Sequence, residues 1–170
     1  QRSRGHDPSA QTEDIGDDPV YASQLGIKNL QRIVPQLIEW IQEEEAPIRY
    51  WAARGILALL EREAINFPPT VVQDVFQQQE ENTEIRLACA EILVKHQQDQ
   101  VALDFIMDQV EANYFIAFAT LQHLGASVKP ALNRLLALQN QPEINQFYIR
   151  SALINAGYLT YDQLYPANKP

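Results

Sequence analysis

The side chains best suited to hold a metal or attack a substrate are three histidines and one cysteine: His6, His96, His123 and Cys89. Zinc sites draw their ligands from histidines at short helical spacing, as in His-Glu-x-x-His, or from paired cysteines. The three histidines stand far apart, and none belongs to such a set. His96 and His123 fall near the ends of helical stretches, where an imidazole interacts favourably with the helix dipole. Cys89 lies between Ala88 and Ala90 and reads as a small buried residue rather than a nucleophile. Acids cluster at Glu13-Asp14, Asp17-Asp18, Glu43 to Glu45 and Glu80-Glu81. A calcium loop needs alternating oxygen ligands around a turn glycine. Asp14-Ile15-Gly16-Asp17-Asp18 only approaches that pattern, so these acids read as solvated. Phosphate loops, the GxSxG elbow and CxxC are all missing. We therefore expect no catalytic residue, no cofactor, no metal ligand and no turnover by this chain alone.

The elements that would position any such chemistry are helices. With 170 residues, 46% of them hydrophobic and 21% charged, the chain can bury a substantial core. Its net charge of -9 disfavours nucleic acid, whose phosphates are bound through clustered Lys and Arg, and disfavours a bare anionic bilayer. No apolar run approaches the roughly 20 residues that span a membrane, and no signal peptide is read. Beginning at Gln1 rather than Met, the chain reads as a processed product or a piece of something longer. Residues 1–20 are polar and aperiodic and read as an arm or linker; residues 21–170 read as one helical repeat domain.

A helix-sized phrase recurs four times, anchored at Arg49, Arg86, Tyr114 and Arg150 in steps of 37, 28 and 36 residues. Such periods, with two helical segments each, predict stacked hairpins at 29–43 with 47–62, 69–80 with 83–96, 99–110 with 112–124, and 127–139 with 142–156. The predicted fold is all-α: a right-handed α-solenoid of about four hairpins, with an extended N-terminal arm and a C-terminal cap over 158–170. Asn82 or Thr83 caps one helix, Pro142 opens the last, and Gly125 and Gly157 act as stops. Alanines such as Ala53, Ala90 and Ala117 let neighbouring helices approach closely. Each anchoring Arg is expected to pack its stem between repeats and to pair with an acid or carbonyl of a neighbouring turn.

Positions one and five after each anchor form the candidate interaction surface. These are Tyr50 and Arg54, Leu87 and Glu91, Phe115 and Ala119, and Ser151 and Asn155. In a stacked array they would line one continuous face able to receive a protein partner. Burial by the arm 1–20 accounts for the apolar members equally well.

Two resemblances follow. The run Ala46-Pro47-Ile48-Arg49-Tyr50-Trp51-Ala52-Ala53-Arg54-Gly55-Ile56-Leu57 resembles the HEAT-repeat region that follows the catalytic fold of bacterial type I sulfatases. Ile85 to Leu93 and Leu124 to Leu132 fit the same region in the same order, and the likeness covers about 35–157. It implies an armadillo-like, non-catalytic HEAT segment of an extracytoplasmic hydrolase of sulfated glycans. Such a segment would pack on the catalytic part of the same polypeptide. The alternative is a stand-alone HEAT module for protein–protein interaction. The sulfatase nucleophile motif is missing, since Cys89 is followed by Ala90-Glu91-Ile92-Leu93. A shorter stretch, Glu13 to Pro19 with Gly26 to Leu30, is similar to a segment of large secreted bacterial zinc metallopeptidases and is ranked below the first.

Overall fold

The computed structural model describes residues 32–62, 67–79 and 81–160, and all of their regular structure is helical. A helix through residues 32–40 (α1) is followed by α2 (Ala46–Leu60), α3 (Pro69–Gln77), α4 (Thr83–Gln97), α5 (Gln100–Glu111) and α6 (Phe115–His123). A 3-10 helix, Gly125–Ala131, then leads into α7 (Leu132–Leu138), and α8 (Gln146–Asn155) completes the set. The predicted arm 1–20 and most of the predicted cap lie outside the described residues.

Packing follows chain order. α3 lies on α4, α5 on α6 and α7 on α8, while α2 meets α4, α4 meets α6 and α6 meets α8. α4 sits at the centre, touched by α2, α3, α5 and α6. Its unbroken buried run from Leu87 to Val94 suits a helix enclosed on every side. Close approach depends on small residues there and on α2. Ala52, Ala53, Ala88, Cys89 and Ala90 are all buried. A Cβ added at Gly55 would stand 3.0 Å from Leu37 Cδ2 of α1.

Local chemistry sets the boundaries. Asn82 Oδ1 accepts from the Glu84 amide at 2.7 Å and caps α4. Asp99 Oδ1 accepts from the Ala102 amide at 2.9 Å and caps α5. Gly125 (φ 54°) and Gly157 (φ 75°) follow α6 and α8 in the left-handed region, as the sequence predicts for helix stops.

Three boundaries differ from expectation. Pro130 lacks an amide donor, and residues Gly125–Ala131 wind as a 3-10 helix before α7 begins. α8 starts at Gln146 rather than at Pro142. The Gln146 side-chain Nε2 donates to the carbonyls of Leu138 (3.0 Å) and Gln141 (2.6 Å), folding the connection around itself. Asn113 adopts a left-handed φ of 59°, so the chain turns there and α6 begins at Phe115 instead of 112.

Candidate functional site

That turn at Asn113 changes the alignment of the repeats. Arg49 is the fourth residue of α2 and Arg86 the fourth of α4. Tyr114 precedes α6 as its N-cap, and the fourth residue of α6 is Phe118. Aligning the third repeat by its helix start moves it one turn along, while α8 keeps Arg150, its fifth residue, as anchor. The fifth position after the anchor then reads Arg54, Glu91, His123 and Asn155, at intervals of 37, 32 and 32 residues.

These residues form a polar ladder across the second helices of the hairpins. Arg54 Nη1 donates to Glu91 Oε2 at 2.8 Å. Glu91 Oε1 lies 3.5 Å from His123 Nδ1 but has no hydrogen-bond partner, although its side chain is fully enclosed. Asn155 Nδ2 donates to the Gln122 carbonyl at 3.5 Å. Burial drives the Glu91 carboxyl above the usual range, against the opposing charges of Arg54, His123 and Lys95. Beside the ladder, Lys95 forms a close ion pair with Glu61, and its hydrogen bond holds the Glu61 carboxyl below the usual range.

Three of the four anchors, Arg49, Arg86 and Tyr114, behave as structural clamps. Arg49 binds Glu81 through Nε (2.7 Å) and Nη2 (2.8 Å), and its Nη1 reaches the Glu43 and Glu44 carbonyls at 2.7 and 2.6 Å. Arg86 Nε donates to the Phe76 carbonyl at 3.1 Å, with its guanidinium 4.2 Å from the Phe105 ring centroid. Tyr114 donates its hydroxyl to Glu84 Oε1 at 3.3 Å. Arg150 is exposed. A clamp that the sequence did not single out is Arg134 on α7. It meets Asp108 (2.6 Å) and Glu111 (2.8 Å) of α5, and these bonds raise its pKa despite partial burial.

The candidate surface residues do not share one exposed face. Leu87 and Glu91 are buried in α4. Phe115 projects at the first turn of α6, 68% exposed. Tyr50, Arg54, Ala119, Ser151 and Asn155 are half-buried. The structure joins Arg54 to Glu91 directly, and Asn155 extends their line through the backbone of Gln122. His123 is the member that the residue spacing missed, hidden by the one-turn slip at Tyr114. Cys89 is buried, and burial pushes its thiol up to about 12, so it offers no thiolate near neutral pH.

The family model DUF4953, Met-zincin, matches residues 1–146. The chain belongs to the Met-zincin family. No match to a curated protein or to a solved structure was found.

Membership in the Met-zincin family overturns the sulfatase resemblance. The HEAT-repeat assignment, the role as a sulfatase segment and the alternative of a stand-alone HEAT module all fall with it. The extracytoplasmic placement drawn from that resemblance loses its basis. Small residues and arginine stems recur wherever helices pack closely, so the pattern that suggested HEAT repeats reports packing rather than descent. The shorter similarity, to zinc metallopeptidases, rests on residues outside the described ones but inside the matched span.

Metzincins hold zinc through HExxHxxGxxH and support it with a methionine turn. This sequence has no HExxH, and its single methionine, Met107, is buried within α5. Among the described residues no group of three or more potential ligands converges. Glu91 and His123 meet, but Arg54 and Lys95 crowd the same carboxylate with positive charge, which opposes a divalent cation. The described residues do not fit a zinc ion.

Proposed function

We propose that this chain is a helical part of a metallopeptidase-like protein of the Met-zincin family, and that its described residues are not the part that holds zinc or cuts peptides. The observation that carries this reading is the state of the Glu91–His123 contact. It is the kind of pair from which a hydrolytic centre could be built, yet Arg54 is bonded to the carboxylate and Lys95 stands nearby. An Arg–Glu–His line whose central carboxylate is buried between hairpins suits a device that fixes how helices meet. The chain order of packing also supports a finer architecture, an α-solenoid in which each hairpin contacts its neighbours. Its partner is a protein rather than nucleic acid, given the net charge of -9. Among the described residues no helix is long and apolar enough to cross a membrane.

Two measurements on the purified chain test the proposal. After incubation with zinc and dialysis, metal analysis should find far less than one equivalent retained. A casein digestion assay should show no cleavage. Cleavage that a chelator abolishes and added zinc restores would overturn the reading.

A further inference from the structure

The first described hairpin ends on a face that the later hairpins cover. One residue before the anchor, Ile48 of α2 corresponds to Ile85 of α4 and Ile149 of α8; two after it, Trp51 corresponds to Ala88 and Ala152. In α4 and α8 these positions are closed, with Ile85 1% and Ala88 3% exposed. On α2 they stand open, with Ile48 38% and Trp51 70% exposed. Trp40, at the end of α1, is 39% exposed beside them. Trp40, Pro47, Ile48 and Trp51 line a recess of about 360 Å³. A second recess of about 260 Å³ shares Pro47 and Trp51 and runs on past Tyr50 to Asn82 and Glu84. Trp51 is the ridge between them.

We propose that this groove is a docking site for an amphipathic helix of a partner protein, apolar along one face and flanked by lysine or arginine. Continuity with the contacts between hairpins specifies a helix. The positions that face outward here are the ones that α4 and α8 bury against the stack. A bulky Trp51 where those helices carry alanine holds the incoming helix further off than a neighbouring hairpin sits, and leaves recesses for large side chains. Charge specifies the flanks. Among the described residues, Glu84 is the one charged side chain lining either recess. Glu43, Glu44 and Glu45, all exposed, form the loop that joins Trp40 to Pro47. Arg49, the nearest cation in sequence, is committed to Glu81 and to the carbonyls of that loop. The same acidity disfavours a second copy of this chain, which carries a net charge of -9.

Both tryptophans of the chain line the groove, so selectively excited tryptophan emission reports on it alone. The probe is a synthetic helix of about 18 residues, long enough for some five turns, with a leucine stripe and lysine flanks. One comparator carries glutamate flanks, and another has the lysine composition with the stripe scrambled. The free chain should emit like solvent-exposed tryptophan and be quenched readily by acrylamide. The lysine-flanked helix should shift the emission to the blue and reduce quenching, and each comparator should bind at least about tenfold more weakly. Trp51→Ala should weaken binding about tenfold or more, with Trp40 as reporter and an unchanged circular dichroism spectrum. Phe115→Ala, an equally exposed aromatic elsewhere, should leave binding unaltered. Tryptophans already shielded in the free chain would overturn the proposal. Concentration-independent shielding would assign the groove to the chain's own residues, and concentration-dependent shielding to a second copy. No binding by the lysine-flanked helix, or equal binding by all three, would overturn it too.

Discussion

Arg49 and Arg54 both leave α2 and both meet a glutamate presented at α4, yet the two junctions are built differently. Glu81 lies just before α4 and receives two bonds from Arg49, at 2.7 and 2.8 Å, and a third from the Asn82 amide at 2.7 Å. Burial alone would raise its carboxyl, but those bonds and the Arg49 charge outweigh it and hold the pKa below the usual range. Glu91, in the middle of α4, receives one bond from Arg54, and its other oxygen has no donor. There burial prevails and the pKa rises. A buried carboxylate is stabilised by the number of donors it meets, not by the mere nearness of a cation. The first junction is a fastener. The second is held by geometry that the surrounding helices impose.

Removing the cation from the weaker junction should have the largest effect. Arg54→Met leaves Glu91 enclosed with no bonded cation, and we expect a loss of about 3 kcal/mol at pH 8. At pH 5 the loss should be smaller, because lower pH favours the protonated Glu91 that burial already prefers. Urea unfolding followed by circular dichroism at the two pH values checks this. An equal loss at both would mean that Arg54 acts through packing alone.

Glu81→Ala breaks the stronger junction and leaves Arg49, its side chain only 18% exposed, without its acid partner. Arg49 keeps its bonds to the Glu43 and Glu44 carbonyls, so about 2 kcal/mol is expected. The sign of its pH dependence is opposite. Glu81 has a depressed pKa, so its contribution is present above the unfolded value and is lost as pH falls through the folded one. Wild type and Glu81→Ala should therefore converge in stability as pH falls through that depressed value. Asn82→Ala separates the junction from the cap beside it. It deletes the acceptor for the Glu84 amide but spares the backbone donor to Glu81, and should cost about 1 kcal/mol without moving the Glu81 titration.

The unequal legibility of these features has a physical reason. Helix existence was readable from periodicity, and Asn82, Gly125 and Gly157 from their local preferences, because each depends on its own few neighbours. Arg49 and Arg86 proved to be clamps, as a charge near a helix N-terminus suggested. The ladder was half legible. Arg54, Glu91 and Asn155 stood in the candidate row, but His123 was hidden because Tyr114 looked like an anchor. Only the left-handed Asn113, a backbone choice open to asparagine and not required by it, reveals that Tyr114 lies outside α6. Arg134 escaped notice because its partners, Asp108 and Glu111, belong to a helix that it meets only after folding. The sulfatase resemblance failed for a related reason. Alanine spacing records how near two helices lie, and unrelated proteins solve that problem alike.

Glu91→Gln gives the smallest effect and the sharpest comparison. The amide keeps an oxygen for Arg54 and replaces the partnerless oxygen with an N–H group that can donate to Nδ1 of a neutral His123. It also abolishes the cost of ionising a buried group. The raised pKa fixes the sign: the protonated acid is the form the fold prefers, so the Glu91 contribution is complete below the unfolded value and declines as pH rises through the folded one. Between pH 5 and pH 8 wild type should therefore lose stability relative to Glu91→Gln, with the variant equal or better by up to about 1 kcal/mol at pH 8. Urea midpoints across that range read the difference directly. If the variant is instead weaker at pH 8 than at pH 5, the charged bond to Arg54 outweighs burial, and the two junctions are the same device after all.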